Sequence, residues 1–310
     1  MSFVEGMRRR LFPELSRRRL CASFMRAALT KPHRLHHRFN RENFFLRRHF
    51  SSFFFTCNVC GIQGYPIYDM TDRHLALDYG HVLLRDTLRC LECGSTLRYR
   101  TLAEVLLREI AHTSGRATVT VEDLSHSDVA CSVLDTDSFS PISARLCRLP
   151  GYVRSKFLPD KPLGTELEPA VFNIDLQHID FPSGKFDFIL TSDVMEHVRD
   201  DAAAHREIWR CLKPGGAYIF TVPFVRNMLY TRQLVDASTR RDIFLCLPHL
   251  HGDPLSDGVL AYRIYGQELV SELEALGFIV RYEEISCATS AIFHGDIFLA
   301  RKPFAAKPEQ

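Results

Sequence analysis

The stretch Phe186-Asp-Phe-Ile-Leu-Thr-Ser-Asp-Val-Met-Glu-His-Val198 decides the fold class of this 310-residue chain. Its first five residues are apolar except for Asp187, which predicts a strand that is covered on both faces. The small polar residues Thr191, Ser192 and Asp193 follow at the carboxyl end of that strand. Further on, Leu212-Lys-Pro-Gly-Gly216 precedes a second apolar run. A strand, a helix, a glycine turn and another strand indicate one unit of a parallel α/β sheet.

The rest of the second half repeats this alternation of strands and helices. Strand-like runs lie at 131–134, 152–153, 171–174, 186–190 and 218–222, with a final pair at 278–282 and 297–300. Helix-like runs lie at 142–149, 201–212 and 267–276. The alternation predicts an α/β fold, with a Rossmann-like, doubly wound and mostly parallel seven-stranded sheet. In such sheets ligands bind beyond the carboxyl ends of the strands, where the strand order reverses.

The region resembles class I S-adenosylmethionine-dependent methyltransferases of the type 11 subgroup. The similarity rests on the Asp193-Val-Met-Glu-His197 turn, on the Lys-Pro-Gly-Gly turn and on Asp175-Leu176 upstream. It implies a methyltransferase domain over residues 130–303 that binds S-adenosylmethionine. By the resemblance, Asp175 hydrogen-bonds the adenine amino group and Leu176 lines the adenine pocket. Strand order places the expected cofactor residues around one crevice: Asp135, Asp137, Ser138, Asp175, Leu176, Ser192 and Asp193.

Two positions depart from the family pattern. The first strand of the family ends in a glycine-rich loop, whereas here the loop reads Leu134-Asp-Thr-Asp-Ser-Phe-Ser-Pro141. Asp135 and Asp137 are still suited to hold the ammonium group of the cofactor. The second departure is Lys156, which stands where the family has an acid for the ribose hydroxyls. Glu166 or Glu168 in the next loop is a substitute for that acid.

Three histidines are candidates for the proton acceptor that methylation of a hydroxyl needs near neutral pH. His197 follows the strand at 186–190, and His249 and His251 lie in a segment that commonly builds the acceptor pocket of this fold. A purely structural hydrogen-bonding role is the competing interpretation for each of them. Met195 and Trp209 are predicted to be core residues.

Two Cys-x-x-Cys pairs, Cys57/Cys60 and Cys90/Cys93, precede the α/β region, and each is followed by glycine. Four thiolates make a complete tetrahedral set for a structural zinc ion, with no position open for catalysis. Four unrelated buried thiols or a redox pair are the alternatives. We expect a zinc module over residues 51–100, and a helix and connector over 101–129. A double Cys-x-x-Cys module, Arg98-Tyr-Arg100 and His251-Gly-Asp-Pro254 also resemble an uncharacterised bacterial-type subgroup of methyltransferases.

Residues 1–50 form a basic leader with 13 Lys and Arg residues against three Asp and Glu, while the remainder of the chain is mildly acidic. Three interpretations of the leader stay open: a disordered extension, a mitochondrial transit peptide, or a surface for nucleic acid, a protein or an anionic membrane. The scattered cysteines are typical of a reduced, cytoplasmic protein, with a mitochondrial location as the alternative. No apolar run is long enough to predict a transmembrane helix. Residues 304–310 are expected to be a tail.

The sequence therefore predicts S-adenosylmethionine-dependent methyl transfer to a hydroxyl of a small molecule or glycan. The alternative is a catalytically inactive methyltransferase-like factor that binds or assembles partners through the zinc module and the basic leader. Binding of the cofactor separates the two hypotheses.

Overall fold

The computed structural model describes residues 54–68, 84–253 and 256–304. The predictions for the basic leader and for nearly all of the tail lie outside these residues, as does Pro254.

The amino-terminal part of the described chain consists of two small hairpins and three helices. Its strands are β1 (Phe55–Thr56), β2 (Gln63–Gly64), β3 (Ile67–Tyr68) and β4 (Leu88–Arg89), and its helices are α1 (Leu84–Thr87), α2 (Leu97–Ser114) and α3 (Val121–Ser125). Strand β1 pairs with β2, and β3 pairs with β4. Helix α2 begins at the capping residue Thr96 and ends at Gly115, which adopts a left-handed conformation.

From residue 133 onwards strands and helices alternate as predicted. The elements are β5 (Val133–Asp135), α4 (Ser143–Leu146), β6 (Tyr152–Lys156), β7 (Glu166–Glu168), β8 (Val171–Asn173), β9 (Phe186–Ser192), α5 (Asp201–Cys211) and β10 (Leu212–Thr221). A 3-10 turn, Met195–His197, connects β9 to α5. Asp200 caps α5 by accepting a hydrogen bond from the Ala203 amide at 2.8 Å.

The carboxyl-terminal third adds small hairpins and two long strands. The short strands are β11 (Arg232–Gln233), β12 (Val235–Asp236), β13 (Ile243–Phe244), β14 (Leu250–Asp253), β15 (Ser256–Leu260) and β16 (Arg263–Ile264). Helix α6 (Glu268–Ala275), β17 (Ile279–Cys287), a 3-10 turn (Ala288–Ser290) and β18 (Ile292–Arg301) follow.

The central sheet has eight strands in the order β17-β18-β10-β9-β5-β6-β8-β7. The five inner strands from β10 to β8 are parallel, and the strands at both ends are antiparallel. The order reverses at β5, because the chain runs outward from β5 to β8 and then returns to place β9 on its other side. This confirms the predicted Rossmann-like α/β fold and puts the switch point at the carboxyl ends of β5 and β9.

The sheet has one strand more than predicted, and the additional strand is β7 at the edge. Residues 166–168 were expected to be a loop. They pair antiparallel with β8 across a tight turn in which Ala170 has a φ of 58°. A three-residue strand is too short to show an alternating apolar pattern in the sequence. It forms because the backbone N–H and C=O groups at the edge of β8 need hydrogen-bond partners.

The Lys-Pro-Gly-Gly turn belongs to β10 rather than preceding it. Of its two glycines, only Gly215 has a positive φ, at 82°. Gly216 is required for a different reason: a Cβ there would lie 2.9 Å from the Lys213 carbonyl oxygen and 3.0 Å from that of Asp187. The backbone of β10 thus bulges closely against β9.

One hydrophobic cluster joins the amino-terminal part to the sheet. It contains Cys57 and Val59 from the cysteine region, Val105 from α2, and Val133 and Ile219 from the sheet. A second cluster covers the other face, where α5 and α6 pack. Among the helices of the described segments, none is long and apolar enough to cross a membrane.

Candidate functional site

The carboxyl end of β5 holds a buried carboxylate, Asp135. It accepts hydrogen bonds from the Tyr152 hydroxyl at 2.7 Å and from the Asp137 amide at 2.9 Å. Burial, assisted by the charge of Asp137, raises the pKa of Asp135 to about 7. The Asp135 side chain is therefore poised to change charge when a cation approaches it.

Hydrogen bonds fix the loop after β5, which contains no glycine. Residues 136–141 all have ordinary negative φ values. The Thr136 amide donates to the Leu190 carbonyl at 3.1 Å, and the Ser138 hydroxyl donates to the Ser155 carbonyl at 2.8 Å. The absence of the family's glycines thus causes no backbone strain here, because residues with side chains readily adopt negative φ values.

Asp175 and Leu176 follow β8 on the same side of the sheet. Asp175 accepts hydrogen bonds from the backbone amide of Gln177 at 2.9 Å and from its side-chain amide at 3.0 Å. Leu176 is buried. At the end of β6, Lys156 forms an ion pair with Glu168 of β7 at 2.7 Å. The lysine that replaces the expected ribose acid therefore has an acid beside it.

Beyond β9, Asp193 has a φ of 53° and meets two arginines from the amino-terminal part. Arg85 donates to the Asp193 carboxylate at 2.6 Å, and Arg98 lies 3.4 Å from it. Burial alone would raise the pKa of Asp193, but the charges of Arg85 and Arg98 outweigh burial and hold that pKa well below its usual range. Arg98 also donates to Asp86 and to the Ser192 hydroxyl.

Tyr99 is the third residue of the amino-terminal part at this edge of the sheet. Its hydroxyl donates a hydrogen bond to the Asp137 carboxylate. Sequence reasoning did not assign roles to Arg85, Arg98 or Tyr99. The Arg98-Tyr-Arg100 stretch was noted only as part of a resemblance. The partners of Arg98 and Tyr99 at this site, Ser192 and Asp137, are 94 and 38 residues away in sequence. The structure thus brings the predicted residues Asp135, Asp137, Ser192 and Asp193 to one edge, together with cations that the sequence did not predict.

A second cluster lies just past β9 and contains Glu196, His197 and His251. The Nε2 atom of His197 lies 3.2 Å from Nδ1 of His251, and the two rings are perpendicular. The Glu196 carboxylate is fully buried, 3.7 Å from His197 and 3.9 Å from His251. Of the three predicted histidines, His197 and His251 meet, whereas the His249 side chain is exposed. Met195 is buried in the core as expected, and Trp209 packs partly buried against it.

The four predicted zinc ligands form a compact group. The Sγ atoms of Cys57 and Cys93 are 3.8 Å apart, as are those of Cys60 and Cys90, and all four lie within 4.8 Å of one another. A tetrahedron with Zn–S bonds of about 2.3 Å has edges of about 3.8 Å, so the geometry fits one ion. The glycines after each pair, Gly61 and Gly94, have positive φ and donate back to the carbonyls of Cys57 and Cys90.

The sequence profile of a family described as "Methyltransferase domain" matches residues 155–220. No curated protein matches the sequence. Among solved structures, an S-adenosylmethionine-dependent methyltransferase from Mesorhizobium loti is similar, with 17% identity over 67% of this chain and 98% of that one, and a TM-score of 0.41. The 1,6-didemethyltoxoflavin-N1-methyltransferase of Burkholderia thailandensis has 16% identity over 66% of this chain and 89% of its own, with a TM-score of 0.35.

The strand order and the family match together confirm the class that the sequence predicted. Residues 155–220 match the methyltransferase-domain family, and the strand order is the one expected for class I S-adenosylmethionine-dependent methyltransferases.

Proposed function

We propose that this protein transfers a methyl group from S-adenosylmethionine to a hydroxyl group of a small molecule or glycan. The observation that carries the proposal is the pairing of opposite charges at the switch point of the sheet. The buried Asp135 ends β5 and the half-buried Asp137 follows it, while Arg85 and Arg98 reach the end of β9. The amino-acid part of the cofactor carries one ammonium and one carboxylate, which this donor set matches.

The residues that would hold the cofactor divide by its chemistry. Asp135 and Asp137 would hold the ammonium group, and Arg98 would hold the carboxylate in place of the glycine loop of the family. Asp175 and Leu176 serve the adenine end. Hydrogen bonds to Asp86 and Ser192 hold the Arg98 guanidinium at that strand end. When bound, the cofactor supplies an electrophilic methyl group on a positively charged sulfur.

The acceptor hydroxyl loses its proton to His251, which lies half-buried beside His197. The deprotonated oxygen would then attack the methyl carbon of the bound cofactor, and the electron pair of the broken carbon–sulfur bond would stay on sulfur. His197 is a positioning residue, because its Nδ1 donates to the Leu260 carbonyl at 2.9 Å and orients Nε2 toward His251. The overall products are a methyl ether, a neutral thioether and one proton.

Calorimetric titration with S-adenosylmethionine tests the proposal directly. We expect binding by the full chain, and a loss of roughly tenfold or more in affinity for each of Asp135→Ala and Asp175→Ala, because a charge-assisted hydrogen bond contributes about 1.5–3 kcal/mol. Glu274→Gln on the exposed side of α6 is the matched control and keeps full affinity. If the wild type shows no heat at millimolar cofactor, the enzyme proposal fails and the binding-factor hypothesis replaces it.

We also propose that Cys57, Cys60, Cys90 and Cys93 hold one structural zinc ion. All four positions of the tetrahedron are filled by the protein, so this ion takes no part in methyl transfer.

The nine cysteines in the described part of the chain are all free of disulfide bonds. This supports the cytoplasmic location, which stays a prediction.

A further inference from the structure

The cluster of Glu196, His197 and His251 lies beside the proposed cofactor crevice but is separate from the cysteine cluster. We propose that these three side chains bind a second metal ion, a first-row divalent cation such as Zn²⁺, Mn²⁺ or Fe²⁺. The proposed role of this ion rests on the proposed function, but its binding does not.

Glu196 is the first observation. Its side chain is 0% exposed, and neither of its carboxylate oxygens has a hydrogen-bond partner among the residues that the structure describes. Burying a carboxylate without hydrogen bonds or a counter-charge is costly. The nearby guanidinium groups of Arg85 and Arg98 are already engaged by Asp86 and Asp193. A cation between Glu196 and the histidines would supply the missing partner.

The distances are the second observation. Metal–nitrogen bonds of about 2.0–2.1 Å in a tetrahedron separate two ligand nitrogens by about 3.3 Å. Nε2 of His197 and Nδ1 of His251 are 3.2 Å apart. The Glu196 oxygen, at 3.7 and 3.9 Å from these nitrogens, needs a shift of only about half an ångström to complete a face of the tetrahedron.

The surroundings of His197 are the third observation. Its Nδ1 donates a hydrogen bond to the Leu260 carbonyl, so the lone pair is on Nε2, which points at the cluster. Histidines that bind metals usually donate their other N–H to a carbonyl or carboxylate, which fixes the ring and its tautomer. The His197 ring is therefore held ready for a metal even before one binds.

The ligand set indicates both the kind of ion and its role. Two imidazoles and one carboxylate suit zinc, manganese or iron, whereas magnesium and calcium prefer oxygen ligands alone. Three protein ligands leave a coordination position open, as in catalytic rather than structural sites. His251 is partly exposed, so an acceptor can reach that position. With the ion bound, His251 would be a ligand, and the ion would replace it in activating the acceptor. It would lower the pKa of a bound hydroxyl, whose proton would go to solvent.

Manganese binding to the purified full chain tests the site. Mn²⁺ prefers oxygen and nitrogen ligands and competes poorly for four thiolates, so electron paramagnetic resonance of the free ion reports this cluster alone. We expect one Mn²⁺ bound per chain, and a loss of at least tenfold in affinity for Glu196→Gln and for His251→Ala. The control His249→Ala, an exposed imidazole two residues from a ligand, keeps the wild-type affinity.

Zinc content provides the second measurement, because a variant that failed to fold would also lose manganese. After incubation with Zn²⁺ and removal of unbound metal, we expect two Zn per wild-type chain and one per chain of His251→Ala, with unchanged thermal unfolding. The proposal is overturned if the wild type binds no Mn²⁺ and holds only one Zn, or if Glu196→Gln binds Mn²⁺ as tightly as the wild type. Cofactor calorimetry on the same samples separates the two proposals. If the protein binds S-adenosylmethionine but no second metal, the proposed methyltransferase function stands and the proposed metal site is wrong.

Discussion

At the scale of single residues, the charge of Asp135 couples the proposed cofactor site to pH. The pKa of this carboxyl in the folded protein is about 7, whereas an unfolded chain gives about 3.9. Between these values the folded state holds one proton more than the unfolded state. The contribution of Asp135 to stability therefore falls as pH rises from about 4 to 7, because ionising a buried carboxyl is unfavourable.

Cofactor affinity should show the opposite trend. An ammonium group needs the ionised form of Asp135, so binding releases a proton below pH 7. We expect the dissociation constant of S-adenosylmethionine to fall by up to about tenfold per pH unit between pH 5.5 and 7, and to level off above that. Calorimetry at several pH values measures the slope. Asp135→Asn should bind weakly and without this slope; a variant that keeps the slope would show that another group is responsible.

Arg98 gives a second prediction at this scale. If it holds the cofactor carboxylate, Arg98→Ala should weaken S-adenosylmethionine binding by roughly 10- to 150-fold, corresponding to about 1.5–3 kcal/mol. Arg98→Lys keeps the charge but loses the planar fork and should recover only part of the affinity. Arg108→Ala, which removes an exposed guanidinium of the same helix, is the control. If wild type and Arg98→Ala bind S-adenosylmethionine equally well, another residue binds the cofactor carboxylate.

The site residues differ in how well sequence predicts them. Asp135, Ser192 and Asp193 could be placed together because parallel strands share one carboxyl edge, whatever their separation in sequence. Arg85 and Arg98 could not, since their position depends on how the cysteine region packs on the sheet. The isolation of the Glu196 carboxylate was equally hidden, because burial without a partner is a property of packing and not of the Glu-His motif.

At the scale of elements, the long buried strands were the most predictable parts. Strands β9 and β10 are apolar runs next to glycine or polar turns, and their cores lie where the sequence predicts them. The short edge strand β7 and the early start of β10 were missed, because pairing at an edge and a bulge depend on the neighbouring backbone. Helix α2 runs from Leu97 across the expected boundary at residue 100, so it belongs to both the cysteine region and the connector.

Arg100 of α2 links the cysteine region to the sheet. Its fully buried guanidinium donates to the carbonyls of Ser95 at 2.6 Å, of Ser290 at 2.9 Å and of Ala291 at 3.0 Å. The first lies beside the cysteine turn, and the other two precede β18. A disturbance at the cysteines is therefore transmitted to the large sheet rather than confined to a module.

This linkage sharpens the zinc prediction. Cys90→Ser removes one of four zinc ligands and should cost roughly 3 kcal/mol or more, which corresponds to a fall in Tm of about 10 °C. Because α2 shares its core with the sheet, we expect one cooperative transition at lower temperature. Metal analysis should show loss of one zinc. Cys147→Ser, which changes an exposed thiol outside the cluster, should leave Tm and zinc unchanged. A separate early transition confined to residues 54–104 would contradict the shared core.

At the scale of the whole molecule, the packed domain and the excess positive charge lie in different parts of the chain. All strands of the central sheet lie within residues 133–301, and the cysteine region packs on it from residue 55 onwards. The excess of basic over acidic residues, in contrast, lies within residues 1–50. Stability is thus expected to depend on the part after residue 54, and long-range electrostatics on the leader.

Deletion of residues 1–50 tests this division. The segment has no periodic apolar pattern, so its removal should change Tm by no more than about 2 °C, within the range of surface changes of about 0.5 kcal/mol. S-adenosylmethionine affinity should stay within about twofold, since none of the proposed site residues is removed. Removing 13 basic and three acidic residues turns the formal net charge from positive to negative, so retention on an anionic matrix at low salt should be lost. A large fall in Tm would instead mean that the leader packs on the domain. A loss of cofactor affinity at constant Tm would mean that the leader covers the crevice.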